Sequence, residues 1–375
     1  MPFGGSSTRS GHSALYAVVP IGLAAGLVLI AGAQAQPTHA GLDDTASTGT
    51  SAEASAKTDG HRTVDAEISS GSEQTRGTGA DAARTDVHDD GALRVATSHI
   101  SLEGSSAADV QATLVGGEEP EAQDLAALVQ QVRPDVLVLT GVPYDESHRL
   151  ADTLNSDYFS DGDARAADGH EGFAYPHMYT APTNSGVDSG ADFDGDGFIG
   201  GDGDSLGRGD YPGHYGMIVF SQAPIDTDEA RTFQDFLWDD LPENSMSEEL
   251  SEVERAVLPL FGSTLWDLPV SIGEDTVHVI AAARTTFGFV EADPALLHDQ
   301  RRLIDDYLSE DPADGAYIYD DEEDSGGLGS QRWIFAGDDG LGSGTIRSHT
   351  GLDEDDSGRA TGAETSLIWS DLGLD

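Results

Sequence analysis

The sequence predicts an α/β domain over residues 91–375, and three observations predict it. LRVATSHI (93–100), the amphipathic run AQDLAALVQQV (122–132) and the apolar VLVLT (136–140) read in order as strand, helix and strand. A second helix is signalled from Asp293, an N-cap residue followed by Pro294 at the first helical position and by Leu296, Leu297, Ile304, Tyr307 and Leu308 at near-helical spacing. The other apolar runs are of strand length rather than helix length.

Each element has a local cause. The first helix stops at Arg133 because Pro134 disfavours helical backbone in the residue before it. Further strands are expected at GMIVFS (216–221), LWDLPVSI (265–272), TVHVIAAA (276–283), RWIFAG (332–337) and SLIWS (366–370). A region of this length can bury one large core. Before it, residues 36–90 are Ser, Thr, Gly, Ala and Asp with almost no large apolar side chain, so they read as a disordered acidic linker.

The N-terminus carries Arg9, the apolar run from Ala14 to Gly32 and the small-residue triplet AQA at 33–35, the pattern of an export signal over residues 1–35 cleaved after Ala35. The apolar run is also close to the span of a bilayer, so an uncleaved anchor through residues 14–32 is the alternative. The chain has no cysteine, which excludes disulfides.

The formal net charge is −51, and Lys57 is the single lysine. Self-repulsion on this scale disfavours a compact state in dilute buffer, and molar salt screens it, so the composition points to a halophilic protein. It also makes nucleic acid a poor partner, because a phosphate backbone is bound by clustered Lys and Arg. The expected partner is an extracellular ligand that the sequence does not name. Membrane contact is expected only through residues 14–32, and the oligomeric state is left open.

Several stretches together resemble the endonuclease/exonuclease/phosphatase family, especially its exported bacterial members: LRVATSHISL, RPDVLVLTGVPYD, APTNSGVDSGADFDGDG, YPGHYGMIVFSQAPI, RTFQDFLWDDLP, LWDLPVSIGEDTVHVIAA and RWIFAGDDG, in that order over about residues 91–340. The resemblance implies a four-layer α/β sandwich, two packed mixed β-sheets with flanking helices, and an active site at the strand ends. It also implies a divalent metal on carboxylates, Mg²⁺ or Mn²⁺ in an active member, with a water attacking phosphorus in line.

Carried over residue by residue, the resemblance fails at the chemistry. His99 stands where the first strand of such proteins ends in Asn, Gly141 stands for the metal-binding Glu, and Ala283 for the phosphate-contacting His. Of the Asp-x-Asn pair only Asp338 remains, with Gly340 in place of the Asn. The terminal Asp-His pair aligns with Glu364 and Thr365, and the segment before them is shorter than in the family. His99 and Asp338 are thus the remaining candidates at this site, Asp338 as a vestige. No nucleophile-elbow motif supports a serine hydrolase instead.

Two acidic stretches have calcium-loop spacing. DFDGDGFIGGDGD (192–204) places Asp192, Asp194 and Asp196 at alternate positions, then a turn glycine at 197 and Ile199, with Asp202 and Asp204 on either side of Gly203 at position twelve. DEDDSGRATGAE (353–364) has Asp353, Asp355, Ser357, Gly358 and Glu364 at matching positions. The second departs from the pattern, with Ala360 in place of the usual aliphatic, and neither is flanked by two clear helices, so the readings are a Ca²⁺ site or an acidic, hydrated surface loop. Two functional readings follow: a non-catalytic phosphoesterase-like domain kept for binding or structure, or a metal-dependent phosphoesterase acting on extracellular phosphate esters through an altered site. The four missing groups favour the first.

Overall fold

The strands are apolar on both faces because two sheets lie against each other and helices cover their outer sides. The structure, a computed structural model, describes residues 92–160, 171–248, 250–283, 294–337, 344–349 and 357–374, with Asp202 described by its backbone alone. The expected signal segment, the linker, Asp293, Asp338, Gly340, Asp353 and Asp355 lie outside the described residues.

The first sheet begins with β1 (Ala92–His99), followed by helices α1 (Ala107–Leu114) and α2 (Pro120–Val132) and strand β2 (Val136–Val142). Helix α3 (Arg149–Thr153) runs into a π-helical turn, Leu154–Phe159, and β3 (His177–Tyr179) and β4 (Gly216–Ser221) follow. The second sheet takes β5 (Arg231–Thr232), then, after the short helix α4 (Glu252–Arg255), β6 (Leu265–Ile272) and β7 (Asp275–Ala282). Helix α5 (Pro294–Tyr307), β8 (Trp333–Gly337) and β9 (Thr345–Ser348) complete it, and the chain returns to the first sheet with β10 (Gly358–Thr361) and β11 (Ser366–Gly373). The orders are β10-β11-β1-β2-β4-β3 and β5-β6-β7-β8-β9, with β1/β2 and β7/β8 parallel.

Side chains alternate across each strand and so define the layers. Val95, Val136, Val138, Met217 and Val219 of the first sheet meet Trp266, Leu268, Val277, Val279 and Ile334 of the second between the sheets. Ala96, Leu137, Leu139, Ile218 and Phe220 face the other way, onto Leu125, Val129 and Phe159. On the far side, Leu265, Ile280 and Phe335 pack against Leu303, Ile304 and Tyr307 of α5. These are the four layers of the expected sandwich.

Helix α2 shows why the boundaries fall where they do. Its N-cap is Glu119, whose side chain accepts from Ala122 N at 2.7 Å, and Pro120 begins the helix. Its C-cap, Arg133, is left-handed at φ 52°. Buried polar groups on the outer face of the second sheet are matched: Asp267 is held by His278 Nδ1 at 2.7 Å and accepts from the Tyr307 hydroxyl at 2.5 Å. Asp299 of α5, fully buried, accepts from Trp238 Nε1 and Ser245 N. Burial alone would raise its carboxyl, but these donors, with His298 and the Ser245 hydroxyl, hold it below the ordinary carboxylate range.

Candidate functional site

The parallel register of β1 and β2 sets His99 beside Thr140, and the antiparallel register of β1 and β11 brings the start of β11 to the same sheet end. Three strand ends therefore converge, and the polar side chains there hydrogen-bond mainly to each other. His99 Nδ1 lies 3.1 Å from the Thr140 hydroxyl, and His99 Nε2 3.3 Å from the Ser101 hydroxyl. The buried Thr365 hydroxyl donates to the His99 carbonyl at 2.9 Å and lies 3.2 Å from Ser98 Oγ.

Gly141 is more than a residue without a side chain. Strand β2 bulges between Thr140 and Val142, and Gly141 sits in the bulge at φ +83°. A Cβ there would overlap the Ile100 carbonyl oxygen and lie 2.6 Å from His99 Cε1. A glutamate could adopt this backbone only with strain and by displacing its neighbours, and the imidazole of His99 fills the space beside it.

The turn before β11 is pinned from helix α2. Asp124 accepts from Glu364 N at 2.8 Å and Thr365 N at 3.0 Å. Burial raises the Asp124 carboxyl, but the N–H groups of Glu364, Ala363 and Thr365 outweigh it and leave it below its ordinary value. One turn earlier, Glu121 accepts from Ser101 N at 3.0 Å. Its own burial, reinforced by the charges of Glu119, Glu364 and Asp124, exceeds the effect of the Ser101 N–H and raises its carboxyl. Neither Glu121 nor Asp124 is a site residue on sequence grounds. Their three-residue spacing on one helix face is visible there, whereas the partner turn lies about 240 positions away.

The other aligned positions divide. Ala283 belongs to the core between the sheets. Among the described residues, no three carboxylate or imidazole groups at these strand ends lie close enough together to hold a metal.

One group does qualify elsewhere: Asp192, Asp194 and Asp196, whose oxygens lie within 4.8 Å of one another. The turn is closed by backbone donors, Gly197 N to Asp192 at 3.0 Å, Asp196 N to Asp194 at 3.0 Å and Phe198 N to Asp196 at 2.8 Å. Asp192 Oδ1 is buried with no hydrogen-bond partner. Asp204 does not join them: its two oxygens accept from Phe193, Asp194 and Gly200 N–H and tie the loop's ends together. Asp202 lies in a 3₁₀ turn, Asp202–Asp204. Ile199 is 67% exposed.

Only part of the second acidic stretch is described, since Asp353 and Asp355 lie outside the described residues. Its expected turn glycine, Gly358, is the first residue of β10 and lies under the ring of Trp369, and residues 358–361 pair with β11. Ser357 precedes this strand. Glu364 is held by its own N–H on Asp124.

With the fold and this geometry described, the class is that of a two-sheet phosphoesterase sandwich. The sequence model of the Endonuclease/Exonuclease/phosphatase family matches residues 114–338, more than half of the chain, and the chain belongs to that family. It is similar to the crystal structure of an endonuclease/exonuclease/phosphatase from Beutenbergia cavernae DSM 12333, with 19% identity and a TM-score of 0.34 over 66% of this chain and 47% of that one. It is also similar to sphingomyelinase C from Streptomyces griseocarneus, with 17% identity and a TM-score of 0.30 over 67% of this chain and 65% of that one. The chain thus spans about half the length of the first and just under two thirds of the second. No curated protein matches it by sequence.

Calcium binding at the first loop is an expected outcome. Calorimetric titration of the full chain in molar NaCl should register Ca²⁺ binding that is lost in Asp194→Asn/Asp196→Asn, since the cation would relieve the repulsion among three carboxylates. Equal binding by the two proteins would refute the site.

Proposed function

We propose that this chain is an exported phosphoesterase-like protein that does not hydrolyse phosphate esters and keeps its fold for binding. The observation that carries the reading is the bulge at Gly141, where positive φ and the neighbouring His99 ring leave no room for a metal-binding side chain. Thr365 supports it. Standing where the family has an acid–base group, it is committed to the His99 carbonyl and cannot exchange a proton near neutral pH.

Groups that act as a unit lose activity together, commonly by about 10³-fold or more when one is removed. The test is to incubate the full chain in molar salt with Mg²⁺, Mn²⁺ or Ca²⁺ and a panel of phosphomonoesters and phosphodiesters. Turnover above about 1 s⁻¹, within the ordinary enzyme range, would overturn the reading if it were abolished in Asp338→Ala.

Export is supported by Arg9, the apolar run 14–32 and the Ala33–Gln34–Ala35 triplet. Among the described residues, no helix is long and apolar enough to cross a membrane. The intact mass of the protein recovered outside the cell should correspond to a chain beginning at Gln36. A mass that includes residues 1–35, recovered with membranes, would replace cleavage by anchoring.

A further inference from the structure

The loop from Gly207 to Tyr215 is tied to two other segments of the chain. Gly213 N donates to the Ser185 carbonyl at 2.7 Å, Tyr144 N donates to the Gly213 carbonyl at 2.8 Å, and Tyr215 N donates to Ser185 Oγ at 3.0 Å. Tyr144 follows the Gly141 bulge, so the loop is fastened to the chain that leaves strand β2. Gly213 permits the close approach: it sits at φ +81°, and a Cβ there would lie 3.1 Å from Tyr144 Cβ.

Within this loop, the turn 210–214 is closed by an imidazole. Asp210 N donates to His214 Nδ1 at 3.1 Å, and His214 N donates to the Tyr211 carbonyl at 3.1 Å. A backbone N–H can only donate, so His214 Nδ1 carries no proton and the ring is the neutral Nε2–H tautomer. His214 is 8% exposed and is stacked between two tyrosines, with ring centroids 4.4 Å from Tyr211 and 4.1 Å from Tyr215. The charged groups that act on it are Glu103 and the Asp210 carboxylate, which lies 3.9 Å from Nδ1 and is 75% exposed.

We propose that His214 is a pH switch in this turn: the neutral ring holds the Asp210 N–H, and the protonated ring gives up that bond and pairs with the Asp210 carboxylate instead. Protonation puts a hydrogen on Nδ1, where it would face the Asp210 N–H, so the closed turn and the imidazolium exclude each other. The exposed carboxylate is near enough to accept the new N–H after a side-chain rotation. Both faces of the ring lie on tyrosines, which stabilise a cation, so the charged form keeps its place in the stack. The bonds of Gly213 to Ser185 and Tyr144 belong to the same turn and are the ones that the change loosens.

Burial lowers the His214 pKa from its ordinary 6.5, and the charges of Asp210 and Glu103 offset this only in part. The unfolded chain therefore takes up the proton at a higher pH than the folded one. The contribution of the closed turn to stability is complete at neutral pH and falls as the pH drops below 6.5 towards the lower folded value.

The test follows the His214 ring and the Asp210 and Gly213 amides by NMR through an acid titration of the full chain in molar NaCl. All three should move together, with a midpoint below 6.5. Asp210→Asn keeps the backbone N–H, removes an exposed charge and should lower that midpoint by about half a unit. In His214→Gln the two amides should hold their positions between about pH 5 and 7, because the titrating ring is gone. The switch is overturned by a His214 midpoint at or above 6.5, by amides that do not follow the ring, by a midpoint unchanged in Asp210→Asn, or by amides that still move in His214→Gln. Should His214→Gln fail to fold, the parent and Asp210→Asn titrations decide.

Discussion

Gly141→Glu should destabilise the domain by about 2–5 kcal/mol and restore no phosphoesterase activity. The figure combines about 1–2 kcal/mol for a side chain held in left-handed backbone with about 1–3 kcal/mol for forcing atoms into occupied space. The occupied space is that of the Ile100 carbonyl oxygen and the His99 ring, and the backbone angle is +83°. Unfolding by denaturant in molar salt measures the loss, and the phosphate-ester panel measures activity.

The double variant His99→Asn/Gly141→Glu, which replaces both residues with those that the family resemblance implies, separates the two causes. It removes the overlap with the imidazole but leaves the overlap with the Ile100 carbonyl and the strained angle, so it should recover only part of the lost stability and still be inactive. If either variant were as stable as the parent and turned over substrate with Mg²⁺ or Mn²⁺, the bulge would have to be a flexible detail, and the proposal of a non-catalytic protein would fall.

The melting temperature should rise by roughly 10 °C or more between dilute buffer and molar KCl or NaCl, corresponding to a gain of about 3–5 kcal/mol for a domain of this size. The formal charge of −51 sets the direction. The structure adds that arginines are already matched locally: Arg94 with Asp371, Arg231 with Asp320, Arg347 with Asp305 and Arg255 with Asp239. Few cations are left to offset exposed acidic runs such as Asp228–Glu229 or Glu322–Glu323–Asp324. Screening by salt is then the main way to lower the repulsion, because the Debye length falls to about 3 Å at 1 M. A melting temperature that is flat or falls with salt would refute this.

How legible the chain was depends on whether an element carries its own cause. The strands at 216–221 and 265–272 have the limits that their apolar runs predict, and α2 ends at Val132 with Arg133, the residue before Pro134, as its C-cap. Strands β3, β5, β9 and β10, of two to four residues, have no such signal, because a short strand is made by its neighbour's free edge rather than by its own sequence. For the same reason, residues 358–361 matched a calcium loop by spacing and formed a strand by pairing with β11.

By itself, the sequence determined the layered α/β class and the family, because alternation, caps and residue identity are local properties written in order along the chain. Only the tertiary structure decided what surrounds particular residues. That Gly141 lies in a bulge against His99, that Asp124 holds a turn far along the chain over Glu121, and that Asp204 ties a loop together instead of facing the other carboxylates all depend on contacts between segments distant in sequence or on backbone angles. Spacing carries no record of either, since the same residues at the same intervals can face a ligand or each other according to which strand lies beside them.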